Sequence, residues 1–120
     1  MQRTLVGKHW EKQAESFLHQ HGLKTQARNV SSRWGEIDLV MTDKDALVFV
    51  EVRYRKSNHY GSGAASVTRA KQKRLINTAK IYLSRHPAQA ALPCRFDVIS
   101  ITDKPPEKPI EWIKNAFYED

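Results

Sequence analysis

Apolar positions near the N-terminus recur with a helical period. Trp10, Ala14, Phe17 and Leu18 fall on one stripe, which predicts an amphipathic helix from about Thr4 to Gln20, stopped at Gly22. Glu11 precedes Leu18 by one heptad and so points nearly the same way, onto the core-facing side, whereas Lys12 and Gln20 do not. Leu23 to Val30 follows as a weakly patterned strand suited to a sheet edge. The polar stretch from Asn29 to Gly35 comes next, and its Arg33 and Trp34 are available to a ligand or to packing.

From Gly35 to Arg55 the pattern changes. GEIDLVMTDKDALVFVEVRYR reads as a β-hairpin whose arms are apolar on both faces, which predicts central strands. A tight loop at Lys44-Asp45 sets Asp38 opposite Glu51, Val40 opposite Phe49 and Glu36 opposite Arg53. Strand alternation then gathers Glu36, Asp38, Glu51 and Arg53 on one face, with Ile37, Leu39, Met41, Val48, Val50 and Val52 on the other. A slip of one residue would part Asp38 from Glu51. The charged group is expected at one end of a buried sheet, in a cleft. Burying carboxylates without partners is costly, so the group calls for a metal, a cationic side chain or a site that uses it.

The small-residue loop from Ser57 to Ser66 follows this strand directly and is either a simple connection or a lid that orders on substrate, its length and position favouring the lid. A second helix is predicted from about Val67 to Arg85, capped by Ser66 or Thr68 and ended before Pro87. Leu75, Ile76, Ala79, Tyr82 and Leu83 form its apolar stripe, with Gln72 in the middle and Lys71 at the edge. Both can point toward the sheet, while Lys73 and Arg74 supply surface charge. Arg95 to Ile101 predicts an internal strand in which Asp97 is structural, paired with a nearby Arg. A Pro-rich connection, Thr102 to Pro109, leads to Ile110–Phe117, which packs Trp112, Ile113 and Phe117 back on the core. The order is helix, three strands, helix, strand, then an extension over 102–120, all in one α/β domain over 1–120.

Composition narrows the function classes. The chain has 120 residues, 40% hydrophobic and 28% charged, as in an ordinary soluble domain. Its longest apolar run, Ala46 to Val50, is too short to span a bilayer, and MQRTLVGKHW lacks the apolar core of a signal peptide. A cytoplasmic protein with no membrane partner is expected. Cys94 is the sole cysteine, which excludes an internal disulfide and a cysteine-based zinc cluster. His9, His19, His21, His59 and His86 show no metal-ligand spacing.

The formal charge of +7 favours a polyanionic partner, because Lys and Arg displace counterions from phosphates. Arg33, Arg55, Lys56, Arg69, Lys73 and Arg74 are the candidate nucleic-acid contacts, and Tyr60 can stack on a base or serve as an ordinary surface residue. Asp38 and Glu51 offer hard carboxylate oxygens suited to Mg²⁺ or Mn²⁺, with Glu11 as a third carboxylate if its helix packs beside the hairpin. Such an ion neutralises the pair, binds a phosphodiester oxygen and lowers the pKa of a bound water.

Taken together, GEIDLV, FVEVRYR, VTRAKQKRL and CRFDV resemble the YraN-like family of small bacterial proteins, over nearly the whole chain. That family is assigned to the restriction-endonuclease-like, PD-(D/E)XK nuclease superfamily, with kinship to archaeal Holliday-junction resolvases. The resemblance implies an αβββαβ core with a mixed central sheet between helices. It implies a metal-dependent endonuclease acting on DNA, branched or structured DNA included, for which a symmetric dimer is suited. It also implies roles by position: Glu11 as the helix carboxylate, Asp38 as the motif aspartate, and Glu51 as the second acid. Arg53 stands where the superfamily has its catalytic lysine, and Lys71 or Gln72 where a helix residue often completes the site.

Arginine in the lysine position matters chemically. Lysine there can orient or help deprotonate water, whereas Arg stays protonated and can only stabilise phosphate charge or pair with a carboxylate. Either Lys71 takes over the lysine's place and the site cuts, or the site is a non-catalytic nucleic-acid-binding module. Arg53 can also simply pair with Glu36 across the hairpin.

Overall fold

The computed structural model describes residues 5–56, 67–102 and 109–119. Helix α1 (Leu5–Gln20) leads into strands β1 (Lys24–Ser32), β2 (Gly35–Asp43) and β3 (Ala46–Arg55). Helices α2 (Arg69–Ser84) and α3 (Pro87–Ala90) then precede β4 (Cys94–Thr102) and β5 (Ile110–Phe117). The lid loop with Tyr60, and the alternative cap Ser66, lie outside the described residues.

The helix α1 ends on a Schellman turn. Gly22, at φ +91°, adopts the left-handed conformation that a side chain disfavours, while Leu23 N–H and Gly22 N–H donate back to Leu18 and His19. The chain is thereby reversed into β1 and buries Leu23 at once. At the other helix, the Thr68 side chain accepts from Lys71 N–H, the expected cap for the start of α2.

One five-stranded sheet runs β1-β2-β3-β4-β5, so β1 is an edge strand as its weak pattern suggests. Only the β3–β4 pair is parallel, and α2 and α3 make its crossover. The stretch from Ile110 to Phe117 forms the opposite edge strand, antiparallel to β4. The result is a mixed α/β fold compatible with the expected αβββαβ core, with β5 added.

Two apolar clusters flank the sheet. Val40, Leu47, Phe49 and Val98 pack with Leu75, Ala79 and Tyr82 of α2. Leu39, Met41, Val48, Val50, Ile99 and Ile101 pack with Ala14 and Leu18 of α1. Central strands buried on both faces account for the near-continuous apolar runs of β2 and β3.

The hairpin register is the expected one from Asp43↔Ala46 to Leu39↔Val50. Lys44, at φ 55°, makes the tight turn. Beyond Leu39 the predicted alternation breaks. Ile37, expected beside Leu39 and Met41, instead packs in the α2-side cluster with Val40 and Phe49. The cause is local: Asp38 Oδ2 accepts from Val52 N–H at 2.8 Å, so a side chain supplies an acceptor to β3 just past the end of the ladder.

Candidate functional site

The cleft opens at this break in the hairpin. It encloses about 800 Å³ and takes walls from α1 (Trp10, Glu11), the β1–β2 turn (Arg33, Trp34) and α2 (Lys71, Arg74). Asp38, Glu51, Arg53 and Tyr54 line it from the sheet. The expected end-of-sheet cleft is therefore present and holds the hairpin's acidic pair.

Asp38 and Glu51 are 8% and 4% exposed, so water contributes little to holding their charges. Burial, then the neighbouring Asp38 charge, then a hydrogen bond with Asp38 push the Glu51 carboxyl up to about 8. Lys71 acts the other way, its Nζ lying 2.7 Å from Glu51 Oε2. Arg53 Nη1 stands farther off, at 3.8 Å from the same oxygen. The pair thus keeps a proton, or attracts positive charge, near neutral pH.

The donor set fits a hard divalent cation at this point: two adjoining carboxylates, both buried, whose mutual repulsion a cation relieves. Among the described residues, no group of three or more His, Cys, Asp or Glu side chains is gathered as a metal cage. Glu11 lines the same cleft, and its Oε1 accepts from Asn29 Nδ2 at 2.7 Å. Asn29, at φ 52°, interrupts the regular β1 backbone where its side chain meets Glu11. Edge-strand irregularity and helix carboxylate are tied together there.

Other expected residues separate. Gln72 is not among the cleft-lining side chains; its Nε2 donates to Val67 O at 3.0 Å and braces the start of α2. Its place in the middle of the stripe does point inward, but the nearest need is a backbone carbonyl at the helix entrance. Arg74, grouped with Lys73 as surface charge, is exposed as expected and also lines the cleft, where α2 comes close to Gly35 of the β1–β2 turn. Lys56, Arg69 and Lys73 are exposed and Arg55 is half-buried, all outside the cleft lining.

Glu15 escaped the sequence reading. It is 8% exposed on α1 and accepts from Arg28 Nε at 3.0 Å and from the Thr25 hydroxyl, tying the helix to β1. Burial raises its carboxyl, but hydrogen bonds from Arg28 and Thr25 and the charges of Arg28 and His19 hold it below the ordinary value. One turn from Glu11 and three residues before Leu18, it lies on the core-facing side by the same projection.

The sequence model of the uncharacterised protein family UPF0102 matches residues 10–101, which include Glu11, Asp38, Glu51, Arg53, Lys71 and Arg74. The chain belongs to this family. UPF0102 protein YraN of Escherichia fergusonii is 49% identical over 113 residues, covering 93% of this chain and 83% of its own. A UPF0102 protein of Xanthomonas oryzae pv. oryzae is 48% identical over 110 residues, with 92% and 88% covered. One from Enterobacter sp. aligns along 100% of this chain and 89% of its own at 46% identity. The YraN-like resemblance is thus met by UPF0102 proteins along almost the full chain. Among the described residues, no helix is long and apolar enough to cross a membrane.

Proposed function

We propose that this UPF0102 protein is a metal-dependent endonuclease of the restriction-endonuclease-like kind, hydrolysing phosphodiester bonds in DNA, branched or structured DNA included, in the cytoplasm. The observation that carries the reading is the buried Asp38–Glu51 pair set beside Lys71 and Arg53 in an open cleft. The αβββαβ element order, the charge of +7 and the motif resemblance support it.

Asp38 and Glu51 would hold Mg²⁺ or Mn²⁺, with Glu11 in the same cleft as a third carboxylate. When bound, the ion offers positive charge to a phosphoryl oxygen and makes a water acidic enough to attack at neutral pH. Lys71 stands beside Glu51 and takes the place of the superfamily's lysine, its ammonium directed at the acidic pair. Arg53 stays protonated, so its part is to stabilise phosphate charge and not to move a proton. Arg33 and Arg74 hold flanking phosphates at the rim.

The test is incubation of purified protein with Mg²⁺ or Mn²⁺ and a panel of duplex, single-stranded, flapped and four-way DNA. Metal-dependent cleavage is expected, reduced about 100-fold or more in Asp38→Ala. No cleavage of any substrate, or cleavage undiminished in that variant, overturns the enzymatic reading.

One observation favours a second reading, a non-catalytic nucleic-acid-binding module. Lys71 already places a cation 2.7 Å from Glu51, so the acidic pair is partly neutralised from within the chain. That reading expects salt-sensitive binding without metal, lost on charge reversal of Lys73 and Arg74 but not of Asp38.

A further inference from the structure

Trp34 is unusual for its position. It is 42% exposed, yet the turn that carries it is firmly anchored. Trp34 N–H donates to Ser32 Oγ at 3.0 Å, and Ser32 Oγ lies 2.7 Å from Thr78 Oγ1 on α2. Thr78, fully buried, donates in turn to Arg74 O at 2.9 Å. Gly35 follows at φ +151°, a conformation that favours glycine, and a β-carbon there would lie 3.8 Å from Arg74 Cβ. The turn therefore runs against α2, and its anchored backbone places the Trp34 side chain at the cleft. An exposed aromatic with no task needs no such chain of bonds beneath it.

The chemistry around the ring is also specific. The Arg33 guanidinium sits over the indole, 5.0 Å from its centroid, and both residues line the cleft that contains Asp38 and Glu51. A rigid indole stacks a planar partner at little entropic cost, and a cation beside it suits a partner carrying negative charge. A nucleobase attached to its phosphate has both properties. Bases inside a continuous duplex have both faces covered by their neighbours, so only an unpaired or splayed base can use this platform.

Resting on the nucleic-acid reading above, we propose that Trp34, with Arg33, stacks an unpaired nucleobase beside the acidic cleft. The substrate class is then nucleic acid with unpaired bases next to the bound phosphate, such as single strands, flaps or opened junctions. Continuous duplex is bound through phosphates alone.

The experiment compares binding of the full chain to labelled oligothymidylate of about 12 nucleotides and to a blunt duplex of the same length, at one salt concentration. Wild type, Trp34→Ala and Trp34→Phe are measured. The Ala variant is expected to lose about 5- to 100-fold in single-strand affinity with duplex affinity unchanged, and the Phe variant to keep most of it. Quenching of indole fluorescence by the single strand should fall in Trp34→Ala and persist in Trp10→Phe, since Trp10 lines the same cleft. Equal losses on both ligands, or no loss on either, overturn the stacking assignment while leaving the nucleic-acid reading intact. A wild type that binds neither ligand overturns both.

Discussion

Two groups of buried carboxylates sit in the same sheet and have been resolved in opposite ways. Asp97 on β4 is fully buried and saturated. Arg95 Nε donates to its two oxygens at 3.0 and 3.2 Å, Trp112 Nε1 donates at 2.9 Å, and the Asn115 N–H donates at 2.9 Å. Arg95 also reaches Asp43 at 2.8 Å, so the network closes on itself. Two of those donors come from β5, and Asn115, at φ 52°, bends the strand to aim its N–H at Asp97. This carboxylate fastens an edge strand.

Asp38 and Glu51 are nearly as buried, but each has the other as a close anionic neighbour, and the Lys71 ammonium lies against Glu51. Their mutual repulsion and burial hold the Glu51 carboxyl up at about 8, and the pair faces a cleft. The lesson is that burial of acid does not mark a site. A saturated acid is architecture, whereas acids pressed together beside an opening store a demand for positive charge that a ligand can meet.

The largest expected effect separates these two directly. Asp97→Asn should lower stability by about 3 kcal/mol, since it strips the charge from a buried, fully engaged partner of Arg95. Asp38→Asn should cost less than about 1 kcal/mol at neutral pH, because relief of repulsion offsets the altered bond to Val52. Urea unfolding of both variants checks this, and equal losses would erase the distinction.

The next effect follows pH. Glu51 has a folded-state pKa of about 8 against an ordinary 4.5, so the native state holds a proton that the unfolded chain has released. The native state therefore binds more protons than the unfolded chain in that window, and stability falls as pH rises from 4.5 toward 8 and levels off above it. The sum is on the order of a few kcal/mol. Glu51→Gln should flatten that slope in unfolding curves measured across the same range. If the variant keeps the wild-type slope, some other group titrates there.

The smallest effect concerns the internal cation. Lys71→Met removes the closest positive charge from Glu51, so the carboxyl should move further upward and stability at alkaline pH should drop by about 1 kcal/mol. Thermal unfolding at two pH values on either side of 8 reads it. Unchanged midpoints would mean that solvent already screens the half-exposed ammonium.

Much of this arrangement was legible residue by residue. The tight loop at Lys44-Asp45 counts outward to the Asp38–Glu51 meeting, and helix projection brings Lys71 toward it. What escaped was decided by bonds between distant segments. Ile37 changes face because Asp38 bonds β3 past the end of the ladder, a competition that alternation cannot express. Gln72 points inward as projected and finds Val67 O before any acid. Arg74 is the exposed charge the projection expects, and it becomes a cleft wall as well because the β1–β2 turn comes close to α2. The strand character of Ile110–Phe117 rests on Asp97 and β4 more than on its own mixed pattern.

The sequence by itself determined the two long helices, the first four strands and the hairpin register from its turn out to Leu39 and Val50, since these follow from local periodicity and turn geometry; helix α3, strand β5 and the ends of the hairpin do not. Only the tertiary structure decided which acid is surrounded by donors and which is pressed against another acid. Donors to Asp97 arrive from β5, while Glu51 is set against the Asp38 carboxylate with Lys71 at its other side. Partner supply depends on what packs nearby in space, and no spacing along the chain encodes it.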